Sequence, residues 1–310
     1  MLINKHIDSY FYLRNIMLKI IKNQRIQEKI AILSILIFAF HSLFFILNYS
    51  VNIPITDEWH FISFAEMVLT NEPFWEFDKF VMYNGHGLIF PNLVFVLNIF
   101  LFSWNFSYLM IFGWLLVLFS SFLLFLILRK TYPKIILLTI PITALLFSPV
   151  QYENFLWGLA STQLFMISSS MIFSIYCLNK VNSNRLFIFP AILSGIVSSF
   201  SGISGLGIWI VGFYSILMQT NWKKSSLLIW SVASTMLLLL YFTLFSQKVI
   251  FGNEFSEEMF SISAISFKIS FLLADTATFQ PSTANFSARA FPIPLLAPVI
   301  QIFFCFSDIN

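Results

Sequence analysis

Two carboxylates and an imidazole fall within four residues, at Asp57, Glu58 and His60. A carboxylate that takes a proton from a substrate must be held within hydrogen-bond reach of it. The run Pro54-Ile55-Thr56-Asp57-Glu58-Trp59-His60 provides the means. Pro54 ends the preceding span, and Thr56 or Asp57 can cap a new helix. Phe61, Phe64, Ala65 and Val68 then recur at helical spacing, which predicts an amphipathic helix lying on the membrane surface. Its first turn keeps Asp57, Glu58 and His60 near the bilayer, and the helix dipole favours an ionised Asp57. That is where a general base meets a lipid-linked substrate. The simpler alternative makes Asp57 a cap and Glu58 a solvated charge.

Two further clusters carry chemistry. In Tyr83-Asn84-Gly85-His86-Gly87, followed by Phe90-Pro91, the glycines allow a tight turn that presents His86. A histidine there binds a phosphate or shuttles a proton; the alternative is a plain loop turn. In Ser148-Pro149-Val150-Gln151-Tyr152-Glu153-Asn154-Phe155-Leu156-Trp157-Gly158, Glu153 is the only acid between residues 79 and 253. Tyr152 and Trp157 alone would make an ordinary aromatic belt. Gln151, Glu153, Asn154 and, further on, Gln163 add polar groups that are expensive beside lipid, which points to a sugar or headgroup site.

Other features point to packing. Ser198-Ser199-Phe200-Ser201-Gly202-Ile203-Ser204-Gly205-Leu206-Gly207 is rich in small residues and reads as a close helix contact. It lacks the Lys and Ser/Thr of a phosphate-cradling loop. His41 stands alone in the first apolar run and reads as a packed polar residue. No His or carboxylate pair has the spacing of a dedicated metal site, so no cofactor is assigned, and a divalent metal stays compatible. Cys177 and Cys305 both lie in apolar runs, without a disulfide framework.

The elements that must position these residues are membrane spans. The chain has 310 residues, 58% hydrophobic and 10% charged, with a mean hydropathy of +0.85. Soluble domains carry about 25% charged residues, so this chain has too little polar surface to face water on all sides. The 40 phenylalanines fit the same solvent and also a codon bias. Apolar runs near 30–49, 106–128, 134–149, 158–178, 186–200, 203–218 and 225–246 are long enough to cross a bilayer, with weaker candidates near 261–274 and 291–306. The fold class is therefore an all-α polytopic transmembrane bundle of about 7–9 spans. A basic arm, 1–29, precedes one transmembrane domain, 30–310, which includes an extracytoplasmic loop, 50–87. The first run has too long a basic lead and no cleavage site to be a signal peptide. The chain stops behind an apolar run, which reads as a longer protein cut short.

Charge sets the topology. Residues 1–29 hold six Lys or Arg against two acids, whereas residues 50–87 hold six acids against Lys79. This places the N-terminus in the cytoplasm, in a multi-pass protein of the plasma membrane, and argues against a nucleic-acid partner. If 88–103 lies in the interface or re-enters, the basic turns Arg129–Lys134, Lys180–Arg185 and Trp222–Lys224 all stay inside. The 150–157 and 200–205 turns then face outward with the acidic loop. Pro91, Asn92 and Asn98 favour that path.

In their order along the chain, these motifs resemble the GT-C class of membrane glycosyltransferases, relatives of the dolichyl-phosphate-mannose protein mannosyltransferases. In that class a carboxylate stands just after the first span, as Asp57-Glu58 do. Asn84-Gly85-His86-Gly87 with Pro91 is similar to the bacterial Asn-x-His-Arg stretch, with Gly87 where a basic residue is expected. Glu153-Asn154-Phe155-Leu156-Trp157-Gly158 is similar to an acid-Asn-x-x-Trp-Gly turn. The resemblance covers roughly residues 30–220. It implies an inverting transfer of a hexose or pentose from a polyprenyl-phosphate carrier to an extracytoplasmic hydroxyl of a glycan, lipid or protein. Asp57 or Glu58 would be the base, and His60, Asn84, His86 and Lys79 would lie on the substrate side near the leaving phosphate. Gln151, Glu153, Asn154, Trp157 and Gln163 would hold the sugar or acceptor. A transporter or flippase would instead put charged or broken-helix residues near the midplane, and a non-catalytic membrane subunit would need no site.

Overall fold

The computed structural model describes residues 23–73, 82–83, 86–219 and 224–251. The basic arm up to residue 22, Lys79, Asn84 and the two weaker apolar runs lie outside these residues. Contacts divide the chain after Phe245, and beyond it only the end of the last helix is described.

Among the described residues, five helical stretches are long and apolar enough to cross a membrane, and three shorter apolar ones lie among them. α1 (Gln24–Tyr49) starts behind Asn23, whose side chain accepts from the Ile26 N–H. After the 3-10 segment Thr56–Phe61 and α2 (Ile62–Leu69), β1 (Met82–Tyr83) pairs with β2 (His86–Gly87), Tyr83 opposite His86. α3 (Ile89–Phe102) leads into α4 (Phe106–Thr131). A 3-10 turn, Pro133–Leu138, runs into α5 (Thr139–Leu146), and α6 (Tyr152–Leu156) completes that span. α7 (Gly158–Leu178), α8 (Ile188–Ser199), α9 (Gly207–Leu217) and α10 (Lys224–Phe251) follow.

All seven strong apolar runs are helical, but α8 and α9 are short. At 1.5 Å per residue, 11 or 12 residues give about 17 Å of helix, and the adjoining 3-10 turns extend them. Outward faces are apolar: Phe40 is 72% exposed, Ile210 77% and Met236 68%. Water would penalise such continuous faces, and acyl chains would not. His41 belongs to this exposed set, not to the packed interior.

Hydrogen bonds fix the order of the ends. Asn52 Oδ1, just past α1, accepts from the Phe106 N–H at the start of α4, at 2.9 Å. At the other end Arg129 of α4 pairs with Glu28 of α1 at 3.2 Å. The Lys130 ammonium reaches the carbonyl of Asn179, and Gln219 reaches that of Leu178. The basic turns on α4, on α7 and after α9 therefore gather at one end with the start of α1. That is the grouping expected from charge.

α3 does not run from one end to the other. Its 14 residues span about 21 Å, short of a hydrocarbon core of about 30 Å. The Phe90 N–H donates to Phe200 O at 3.3 Å, in the turn after α8. The far end of α3 closes on Ser103 in a left-handed conformation, and the Asn98 side chain donates to Asn105 O at 3.0 Å. Phe106 beside Asn52 follows at once, so α3 returns to the Asn52 end. This agrees with a stretch that enters without crossing.

Small residues let the spans touch. A Cβ on Gly113 of α4 would lie 1.9 Å from Ser161 Oγ and 2.6 Å from Ser161 O of α7. Ser120 and Ser169 bond across the same seam at 2.9 Å. Because the second contact is to backbone, a Gly113→Ala variant should lose about 1–3 kcal/mol, and Ser161→Ala should not rescue it. Thermal unfolding in detergent checks both. The small-residue stretch near 198–207 packs the same way: Gly205 leaves 2.0 Å to Ser198 O for a Cβ. Behind it, Trp209 donates to Ser199 at 2.9 Å, and the fully buried Trp230 donates to Trp209 O at 3.0 Å.

Candidate functional site

The amphipathic segment forms with a different partner from the one its pattern suggests. Phe61, Phe64, Ala65 and Val68 are all buried, at 1–2% exposure. They pack on protein, not on lipid: Phe61 stacks on Phe95 of α3 at 5.0 Å, and the cluster extends to Ile46, Phe106 and Leu109. Periodicity shows that a face is apolar but not what covers it. Glu66 and Glu72 are exposed, a solvated face, while Glu76 and Asp78 lie outside the described residues.

Burying that face pulls Glu58 inside. Its carboxylate is 0% exposed. Oε2 accepts from the Ile55 N–H at 2.8 Å, and Oε1 accepts from the Leu159 N–H at 2.7 Å, 101 residues away. The Gly158 N–H adds a third donor. Glu58 therefore caps α7, a 21-residue helix whose first N–H groups have no partner of their own. Gly158 leaves room for it, since a Cβ there would come 2.9 Å from Oε1 and 3.3 Å from Leu109. So Glu58 is neither a solvated charge nor open to substrate. It latches the first loop to α7.

Burial pushes the Glu58 carboxyl up from 4.5 to about 7, and the N–H donors of Ile55, Leu159 and Gly158 only partly counter this. With its folded pKa above its unfolded one, the native state holds the proton more tightly. Stability should therefore fall as pH rises from about 4.5 to about 7, then level off. Unfolding followed across that window should show a downward slope that Glu58→Gln flattens.

Asp57, one residue earlier, is half-buried and has no hydrogen-bond partner among the described residues. The latch brings it to the same end as the 151–158 turn. There Glu153 is exposed and accepts from the Tyr152 hydroxyl at 3.0 Å. Asn154 is half-buried, and Phe155 anchors the turn at 0% exposure. Gln151 is spent on Leu145 O at 2.7 Å. The Trp157 indole N–H is buried with no partner among the described residues. Trp157 itself has extended backbone, which separates α6 from α7.

No protein-family model matches the chain, and no curated protein or solved structure matches it. The site therefore rests on its own geometry. Gln163 stands apart from the turn, next to Gly202, where a Cβ would lie 3.2 Å from its Nε2. His60 and His86 are placed by their backbones only, in the 3-10 segment and in β2. At Gly87 a Cβ would meet the tip of the Phe245 ring at 2.8 Å, so any side chain there requires that ring to shift. Among the described residues no three His, Cys, Asp or Glu side chains gather in one group. Sequence reasoning missed Gly158 as the partner of Glu58 and Asn52 as the acceptor for the first N–H of α4, beside its own cap Asn105. The only local signals were a glycine opening an apolar run and an asparagine ending one.

Proposed function

We propose that this chain is an integral membrane glycosyltransferase. It moves a sugar from a polyprenyl-phosphate carrier to an acceptor hydroxyl on the extracytoplasmic side, with the N-terminus in the cytoplasm. The observation that carries the reading is the Glu58 latch. It holds Asp57 at the end of the bundle where the Glu153–Trp157 turn also lies, an arrangement suited to a substrate at the membrane surface.

In this mechanism Asp57 is the base and Glu58 positions it. The Asp57 carboxylate takes the proton of the acceptor hydroxyl, and the oxygen attacks the anomeric carbon from the face opposite the phosphate. The bond from that carbon to the phosphate oxygen breaks, the configuration inverts, and polyprenyl phosphate leaves with the electron pair. Glu153, Asn154 and Trp157 hold the sugar or acceptor. His60, His86, Asn84 and Lys79 belong to the stretch that meets the leaving phosphate. Purified protein in liposomes, given a labelled polyprenyl-phosphate sugar and a soluble sugar acceptor, should yield labelled product and free polyprenyl phosphate. Movement of intact carrier between leaflets without cleavage would overturn the reading in favour of a flippase.

A further inference from the structure

At the end of the bundle opposite Asp57, an open groove of about 490 Å3 is lined by Gln24, Arg25, Glu28, Lys29, Ile32 and Arg129. Glu28 is already engaged there: it accepts from Arg129 Nε at 3.2 Å and from the Gln24 amide at 3.1 Å. Arg25 and Lys29 are exposed, one helical turn apart, and neither pairs with a carboxylate among the described residues. Among the described residues the groove thus keeps two unpaired cations after its one acid is neutralised. The same face of α1 continues through residues 32, 36 and 40 at helical spacing. Leu36 is 51% exposed and Phe40 72%, and Phe44 extends the stripe at 61%.

We propose that this groove binds the phosphate of an anionic membrane phospholipid, whose acyl chains lie along Ile32, Leu36 and Phe40. A guanidinium and an ammonium beside one phosphate give charge-assisted hydrogen bonds, and basic pockets beside membrane helices select anionic headgroups in this way. A zwitterionic headgroup brings its own cation against Arg25 and Lys29, so it binds less well. Free phosphate has the charge but not the tails that the stripe accommodates. This site is independent of the transferase reading and of the chemistry at Asp57.

Native mass spectrometry of the full chain in detergent tests it, with phosphatidylglycerol and phosphatidylcholine of the same acyl chains as probes. The phosphatidylglycerol adduct should be favoured and should survive excess inorganic phosphate. The Arg25→Gln/Lys29→Gln double variant leaves the Glu28–Arg129 pair intact and should weaken that adduct by about 30-fold, from about 1 kcal/mol per cation. A Leu36→Ser/Phe40→Ser variant should weaken it with the cations in place. Equal uptake of the two lipids, or an unchanged adduct in either variant, would overturn the proposal. Complete displacement by phosphate would mean that the groove takes the ion and not the lipid.

Discussion

Glu58→Ala should destabilise the protein by about 3 kcal/mol at pH 5 and by less at pH 8. The substitution removes the acceptor for three backbone N–H groups in a fully buried place. At pH 5 the carboxyl is neutral, and a neutral hydrogen bond contributes about 0.5–1.5 kcal/mol, to which each orphaned buried donor adds its own loss. Against this stands the penalty of keeping a buried carboxylate ionised. The displacement from 4.5 to about 7 puts it at roughly 3 kcal/mol once the proton has left. The latch is therefore worth most where Glu58 is protonated. Glu58→Gln cannot replace it, because an amide would turn an N–H toward either Ile55 or Leu159. The decisive comparison is the pair with Gly158→Ala. Alone, the alanine Cβ meets Oε1 at 2.9 Å; with Glu58 already shortened to Ala, that clash is gone. The two losses should sum to more than the double variant shows. Tryptophan fluorescence during thermal unfolding measures all three variants. Additive losses would mean that the two residues do not meet.

Much of the bundle was legible because lipid makes simple demands. Each strong apolar run became helix, and the basic turns gathered at one end, since Lys and Arg cannot stay in hydrocarbon. The return of α3 to the Asn52 end fits Pro91, Asn92 and Asn98, which suit a helix packed in protein better than one facing lipid; Asn92 and Asn98 are both buried. Span length was less legible. A run of apolar residues counts 3-10 turns and bends along with helix, so 186–200 and 203–218 looked longer than α8 and α9 are.

The site was legible as a neighbourhood and not as roles. Asp57 and Glu58 look alike in sequence, and both precede an apolar face at helical spacing. What separates them is that the face packs on Phe95 and Phe106, which draws one carboxylate under the fold and leaves the other half-exposed. No local pattern announces a pairing over 101 residues. Gly158 looked like the end of an aromatic motif, whereas its missing side chain is what admits Oε1.

That division gives the second large expectation. Asp57→Asn should lower the transfer rate by about 10²–10⁴-fold, the usual contribution of a positioned base. The amide keeps the size and polarity of the side chain but cannot take the proton. Binding of the lipid-linked sugar should persist, so the loss falls in kcat while KM changes little. Thermal stability should also hold, because Asp57 is half-buried and has no hydrogen bond among the described residues for the amide to break. Glu58→Gln should give the reverse signature: a lowered unfolding temperature, with activity lost as the first loop detaches from α7. Running both variants through the same turnover and unfolding measurements separates the chemical carboxylate from the positioning one. If Asp57→Asn kept full transfer while Glu58→Gln lost it without destabilisation, the roles assigned to the two neighbours would have to be exchanged.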